Sequence, residues 1–178
     1  MKIVAIDFET ANHSPLSACA LGLAVFEGQE LVASPCWLIK PPRGHGWFIE
    51  EWTEDIHGLS WSDVRDKPGF DGIAAEVLRH LESADLVVAH NARFDMRVLH
   101  SLLEHFQVPS RGFRHQCTLE LARQAWPHLP NHRLSTLAAH LGIDLNHHHA
   151  QSDAIAAGRV MLALNQGAAQ DRTFLQPN

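Results

Sequence analysis

The sequence predicts an α/β fold in which helices flank a mixed five-stranded sheet. Three apolar runs with strand character come first in the 178-residue chain, and helical and strand patterns alternate after them. A hairpin followed by this alternation puts antiparallel and parallel neighbours in one sheet. The length suits a single domain, so we assign residues 1–166 to it and residues 167–178 to a short C-terminal tail.

The strands are predicted from short apolar runs rich in β-branched residues. Residues 3–8 form the first strand, which ends in acidic residues. Residues 17–26 and 31–39 form an antiparallel hairpin around Glu-Gly-Gln-Glu. Residues 84–90 form a buried fourth strand, and residues 113–117 form a short fifth strand.

Helices are predicted where apolar residues recur every three or four positions. A Pro-rich and Gly-rich loop over residues 40–47 is expected to lead into short helices near Trp47 and Trp61. Longer helices are predicted over residues 72–81, from Ala92 to Phe106, and over residues 117–126, 135–141 and 150–164. Beyond the last of these the sequence has no clear periodicity.

Composition restricts the compartment and the mode of binding. The net charge of −6 argues against a broad nucleic-acid platform built from Lys and Arg, although divalent cations would reverse the sign locally. The three cysteines lie far apart without CxxC spacing, which indicates reduced thiols. The N-terminus lacks a signal-peptide core and no window reaches the length of a membrane span, so we expect a cytoplasmic protein with no membrane partner.

Four acidic residues are expected at one edge of the sheet. Asp7 and Glu9 lie two residues apart on the first strand, so their side chains share a face. Asp95 and Asp153 each lie in the first turn of a predicted helix, where the helix dipole also stabilises a carboxylate. Each acid alone has this structural explanation, but carboxylates gathered at one edge require cations or protons.

Three short motifs occur in the order that characterises the DEDD exonucleases. Asp7-Phe8-Glu9 matches DxE, residues 90–95 match HNxxFD, and residues 148–153 match HxAxxD. Residues 56–59, with the sequence IHGL, also resemble the segment between the first two motifs. The chain resembles this family over roughly residues 3–165; the family includes the proofreading subunit of bacterial replicative polymerases and has an RNase H-like fold. Its branches use either His or Tyr near the last Asp, and a chain without Tyr resembles the histidine branch.

The resemblance implies a 3′-5′ exonuclease that hydrolyses DNA by a two-metal mechanism and releases nucleoside 5′-monophosphates. Two divalent cations, Mg²⁺ or Mn²⁺, would be held by the four acids, and His148 would be the general base. Five further residues match positions that line the pocket for the terminal nucleotide: Thr10, His57, Leu59, Asn91 and Phe94. For Leu59 and Phe94, packing in the core is an equally good explanation.

The base lies in a run of three histidines, His147, His148 and His149. The motif selects His148, because it lies five residues before Asp153. The alternative is that the run binds Zn²⁺ or Ni²⁺ without a catalytic role.

Other functions remain open at this point. The expected partner is the 3′ end of single-stranded DNA, but an RNA-trimming or oligoribonuclease-type enzyme would carry the same motifs. A catalytically silent interaction module on the same fold would not need intact acids, and a histidine-rich metal store would scatter its ligands over the surface. Association with a polymerase is a further alternative, although the sequence shows no long docking tail.

Overall fold

The computed structural model describes the backbone of residues 1–173 and the side chains of residues 1–166. The strands are β1 (Lys2–Thr10), β2 (Ala18–Glu27), β3 (Glu30–Ala33), β4 (Cys36–Leu38), β5 (Leu86–Ala89) and β6 (His115–Cys117). The helices are α1 (Glu50–Asp55), α2 (Trp61–Val64), α3 (Phe70–Glu82), α4 (Ala92–His105), α5 (Thr118–Ala125), α6 (Leu134–Leu141) and α7 (Ala150–Thr173). The predicted α/β class and the order of the elements are confirmed.

The sheet is mixed, with the strand order β3-β2-β1-β5-β6 and with β4 also paired to β2. β1 is antiparallel to β2 and parallel to β5, which is parallel to β6. The central position of β1 buries it on both faces, and the side chains on each face contact a different set of helices.

The expected count of five strands was wrong by one, because the run over residues 31–39 is interrupted. Pro35 has no N–H to donate to a strand ladder, and β3 ends before it while β4 begins after it. Both pieces pair with β2. The carbonyl of Ser34, freed by the break, accepts a hydrogen bond from the side chain of Gln151 in α7.

The last helix is longer than the sequence pattern predicted. It continues from Ala150 to Thr173, and residues 174–178 of the expected tail lie outside the described residues. Amphipathic spacing fades after Leu164, but residues such as Ala168, Ala169 and Gln170 favour helix and no proline interrupts them. A helix therefore continues where the apolar periodicity of the sequence has ended.

Successive side chains of β1 point to opposite faces of the sheet and pack in two separate hydrophobic cores. Val4, Ile6 and Phe8 pack with α3 and α4 on one face. Ile3 and Ala5 pack on the other face against α7, through residues such as Ala154, Ala157 and Met161.

Within the described part of the chain, no helix is long and apolar enough to cross a membrane. The three cysteines are all free thiols, as expected.

Candidate active site

Asp7 and Glu9 continue the row of β1 side chains that faces α7. They follow Ile3 and Ala5 on the same face, because side chains alternate along a strand. The pairing of β1 with β2 slips between Glu9 and Thr10, which is a bulge at the point where the strand leaves the sheet. The two acids thus lie at the end of a buried strand, opposite the first turn of α7.

Gly22 lets the start of α7 approach this edge. It is the β2 residue paired with Asp7, and a Cβ atom placed on it would overlap the backbone of Ala150 and Gln151. Only a residue without a side chain permits this approach. The close contact brings the first turn of α7, and with it Asp153, over Asp7.

Asp153 completes a cluster of three carboxylates. One oxygen of each of Asp7, Glu9 and Asp153 lies within 4.8 Å of the others. Asp153 is 4% exposed, and its Oδ2 accepts hydrogen bonds from His147 Nδ1 at 3.0 Å and from the His148 backbone N–H at 3.1 Å. Its Oδ1 is buried and has no hydrogen-bond partner among the described residues.

Asp95 reaches the same edge from the opposite face of the sheet. It lies in the first turn of α4, is 1% exposed, and accepts a hydrogen bond from the Phe8 N–H at 3.0 Å through Oδ1. α4 begins directly after β5 because Asn91, its N-cap, takes a left-handed conformation with a φ of 67°. This turn directs the carboxylate back toward β1.

These carboxyl groups resist ionisation in the absence of a cation. Burial raises the pKa of Asp7 well above its ordinary value, and the neighbouring carboxylates, Asp95 foremost, raise it further. Burial followed by repulsion from Asp153 raises the pKa of Glu9 to about 8. The pKa values of Asp95 and Asp153 are also raised, chiefly by burial. Such a cluster is stabilised by protons or by metal ions.

The donor set suits a hard divalent cation. Carboxylate oxygens are the ligands that Mg²⁺ and Mn²⁺ favour, and the unpartnered Oδ1 of Asp153 is a buried acceptor that a cation would satisfy. The residues present therefore fit the metal that the sequence motifs imply.

His148 lies beside the carboxylates in the loop that precedes α7. It has a φ of 64°, and its ring stacks on that of His147 with the centroids 3.8 Å apart. Burial lowers the pKa of His148 below its ordinary value of 6.5, and the nearby His147 lowers it further, so the ring is neutral at neutral pH. His149 is exposed, and its side chain is not among the clustered ligand atoms.

Three of the residues predicted to hold the terminal nucleotide form one connected group. The Leu59 N–H donates to Nδ1 of His57 at 3.0 Å, so Nε2 carries the ring proton and donates to the Thr10 carbonyl at 3.2 Å. Burial lowers the pKa of His57, and the charge that His148 can carry lowers it further, which is consistent with the two rings lying near one another. This group therefore flanks the carboxylates on the side of α1.

Asn91 and Phe94 lie on another side of the site. Together with Arg93 and Arg97 they line a cavity of about 280 Å³, and Asn91 also lines the cavity that contains the acids. Phe94 packs partly against the core, so a packing role, the alternative to contact with the nucleotide, has structural support. Leu59 is half-buried and lies outside the three described core clusters.

The carboxylates open into a cavity of about 580 Å³, and one of its walls is basic. Sequence reasoning missed this wall, which comes from α5 and from the segment before α6 and contains Arg123, Asn131, His132 and Arg133. No local pattern marks these residues, because they meet the acids only through the packing of α5 and α6 on α7.

His90, which the second motif contains but to which no role was given, holds this wall in place. Its Nε2 donates to the carbonyl of His132 at 3.0 Å, and its Nδ1 lies 3.0 Å from the hydroxyl of Thr118. Burial lowers its pKa to about 4, so the ring is neutral. His132 in turn donates to the Trp126 carbonyl at 2.9 Å, which fixes the loop between α5 and α6.

Comparison with solved structures places the fold among exonucleases. Exonuclease X, solved with 5′ overhanging duplex DNA, superimposes with a TM-score of 0.73 at 21% identity over 94% of this chain and 93% of its own. The nuclease domain of 3′hExo, a DEDDh family member bound to rAMP, gives a TM-score of 0.74 at 13% identity over 93% of this chain and 92% of its own. These likenesses confirm the RNase H-like exonuclease fold.

Sequence relatives share more identity but are much longer. The PolC-type DNA polymerase III of Oceanobacillus iheyensis is 38% identical over 169 residues, which cover 92% of this chain and 11% of the polymerase. The 3′-5′ exonuclease DinG of Bacillus subtilis is 30% identical over 92% of this chain and 17% of its own length. The chain thus spans about a tenth to a sixth of these relatives. The RNase_T exonuclease family model matches residues 4–161, and the chain belongs to this exonuclease family.

Proposed function

We propose that the chain removes nucleotides from the 3′ end of DNA by metal-dependent hydrolysis and releases nucleoside 5′-monophosphates. The observation that carries the proposal is the convergence of Asp7, Glu9 and Asp153 on one point, with an unpartnered carboxylate oxygen, in a chain of the exonuclease family. This family depends on divalent cations. The intact acids and the open cavity beside them count against a catalytically silent module.

We assign the cation ligands to Asp7, Glu9, Asp95 and Asp153. Two Mg²⁺ or Mn²⁺ ions bound there would neutralise the scissile phosphate, lower the pKa of the attacking water and stabilise the leaving 3′ oxygen. Burial and then the charges of Asp95, Glu9 and Asp153 raise the pKa of Asp7, so Asp7 is near all three acids and would share cations with them. The buried hydrogen bond from Phe8 keeps Asp95 oriented toward them.

His148 is assigned as the general base. A base must be unprotonated to accept a proton, and the lowered pKa of His148 meets that condition at neutral pH. The hydrogen bond from its backbone N–H to Asp153 fixes the loop relative to the acids, while the half-exposed ring remains free to turn toward the attacking water. His149 is also linked to Asp153, because its backbone carbonyl accepts a hydrogen bond from the Asp153 N–H at 3.0 Å, but its side chain is exposed and lies outside the cluster.

The terminal nucleotide would occupy the region bounded by Thr10, His57 and Leu59 on one side and by Asn91 and Phe94 on the other. Apolar surfaces of Leu59 and Phe94 can contact base or ribose. The preceding phosphates would then lie along the basic wall, where Arg123 and Arg133 supply positive charge to a protein of net charge −6.

DNA is proposed as the substrate because the sequence relatives are a DNA polymerase of the PolC type and an exonuclease named 3′-5′ exonuclease DinG. RNA is the second candidate, because the likeness to 3′hExo extends to a structure bound to rAMP. Sequence similarity to the PolC-type polymerases also supports a role for the domain next to a polymerase.

Substrate and direction can be tested together. We expect end-labelled single-stranded DNA to be shortened from its 3′ end in Mg²⁺ or Mn²⁺, with nucleoside 5′-monophosphates as products, and a 3′-phosphate to slow the first cut. RNA of equal sequence is the matched substrate, and faster loss of RNA would select the second candidate. Release of oligonucleotides from a circular strand would contradict an exonuclease.

A further inference from the structure

A second group of metal-ligating atoms lies against the carboxylates. Among the described residues, His147, His148 and Asp153 also bring one ligand atom each within 4.8 Å of one another. This group differs from the all-carboxylate group in having two imidazoles. His147 is not part of the HxAxxD motif, so the second group is a feature of this chain and not of the motif.

The distances are close to those of a tetrahedral site. Ligand bonds of about 2.0–2.1 Å to Zn²⁺ place neighbouring ligand atoms roughly 3.3 Å apart. His147 Nδ1 and Asp153 Oδ2 are already 3.0 Å apart. A ligand atom of His148 lies no more than 4.8 Å from the others, so the site closes when the His148 ring turns out of its stack on His147 and moves that atom by about 1.5 Å.

The loop permits this adjustment. The His147 side chain is 39% exposed and the His148 ring is half-buried, so neither is locked into the core. Coordination through Nδ1 of His147 requires the ring proton to move to Nε2, and solvent around an exposed ring allows that exchange. The backbone bond from His148 to Asp153 keeps all three groups together.

The unpartnered Oδ1 of Asp153 is an independent observation. This atom belongs to a side chain that is 6% exposed, and it has no hydrogen-bond partner among the described residues. Buried polar atoms without a partner are uncommon and need an explanation. A cation that binds both oxygens of the Asp153 carboxylate, in either group, would supply one. Imidazole ligands favour Zn²⁺ over Mg²⁺, and only the group with His147 and His148 contains them.

We propose that His147, His148 and Asp153 form a Zn²⁺ site that is mutually exclusive with the catalytic arrangement. Zn²⁺ held there occupies the ring nitrogen of His148 and withdraws Asp153 from the other acids. The nuclease would therefore be inhibited by Zn²⁺ even with Mg²⁺ in excess. The inhibition rests on the proposed function, whereas the binding of Zn²⁺ does not.

Binding is tested by calorimetric titration of metal-free protein with Zn²⁺ alone. His147→Asn places an amide nitrogen where Nδ1 was, so it keeps a donor for Asp153 but loses a zinc ligand. His149→Asn is the matched control, because His149 is an exposed neighbour outside the group. We expect wild type and His149→Asn to bind the same zinc equivalent, and His147→Asn to lose it or to bind it at least tenfold more weakly. Equal titrations for all three proteins would overturn the proposal.

Inhibition is tested by titrating Zn²⁺ into the Mg²⁺-supported nuclease assay, with each variant normalised to its own zinc-free rate. The half-inhibitory Zn²⁺ concentration should rise at least tenfold in His147→Asn and stay unchanged in His149→Asn. If Zn²⁺ inhibited all three proteins at the same concentration, the proposal that zinc at this site excludes the catalytic arrangement would be refuted. If the wild type showed no activity in Mg²⁺, the proposed function would fail, while the calorimetric comparison would still decide whether Zn²⁺ binds. Should His147→Asn melt early, His147→Gln provides the same test.

Discussion

Gly22→Ala should damage catalysis without touching any catalytic residue. A Cβ atom at this position lies 2.5 Å from the backbone nitrogen of Gln151, whereas ordinary contact begins at 3.4 Å. The carbonyl group of Ala150 is closer still, so the start of α7 must move by at least about 0.9 Å, and Asp153 moves with it because it lies in the same turn. A misplacement of about 1 Å in a catalytic site can cost roughly 100-fold in rate. We expect a loss of about that size in kcat at a temperature where the variant is folded.

Gly158→Ala is the matched control for this prediction. Gly158 also lies where α7 packs on β2, but its added Cβ would meet the ring of Phe26 and not backbone, at a distance from the acids. Overpacking of this kind costs about 1–3 kcal/mol of stability. The control should lose melting temperature and keep kcat within about threefold, as expected for a stability effect that leaves the site geometry unchanged. Wild-type kcat in Gly22→Ala would refute the argument that this close approach positions Asp153.

Three further predictions concern charge and proton transfer. His148→Ala should lower kcat by about 10²- to 10⁴-fold, whereas His149→Ala should lower it less than about tenfold; a dominant loss at His149 would show that the motif is misplaced by one residue. Folding raises the pKa of Glu9, so the folded state holds a proton that the unfolded state has lost. The metal-free protein should therefore gain stability as pH falls from about 8 toward 6.5. Below that range the lowered pKa of the buried His90 has the opposite effect on stability, because the unfolded state then binds the proton. Melting curves should show that Glu9→Gln flattens this dependence; an unchanged slope would mean that Glu9 is not the group responsible. Arg123→Gln should raise KM for DNA severalfold with little change in kcat, and should reduce the salt dependence of KM, whereas an unchanged KM would remove the basic wall from the substrate path.

Most of the fold was predictable because its signals are local. The apolar run of β1 and the helical spacing from Ala92 onward are properties of neighbouring residues, and both elements appear where they were predicted. Pro35 was visible in the sequence, but the run around it was apolar enough to suggest one strand. The extension of α7 to Thr173 was missed because periodicity reports which residues are buried, and not where a helix ends.

The gathering of the acids at one edge of the sheet was also predictable, since motif spacing singles out Asp7, Glu9, Asp95 and Asp153 without reference to tertiary structure. Their mutual distances were not predictable, because they depend on Gly22 and on the packing of α7 against β2. The hydrogen bond between the side chains of His147 and Asp153 was missed for a different reason. The motif gave His147 no role, and only the turn of the loop at His148, with its positive φ, brings that ring back onto the carboxylate.

The central claim is that the clustered acids act by holding divalent cations, and Asp7→Asn tests it most directly. One experiment measures Mn²⁺ binding by calorimetry, nuclease activity in Mg²⁺ and the melting temperature of the metal-free protein, for wild type and variant. We predict that the variant loses activity and binds Mn²⁺ at least tenfold more weakly. It should melt no lower than wild type, because removing one carboxylate relieves the repulsion that raises the pKa values of its neighbours. Retained turnover, unchanged Mn²⁺ affinity or a large drop in melting temperature would contradict the claim.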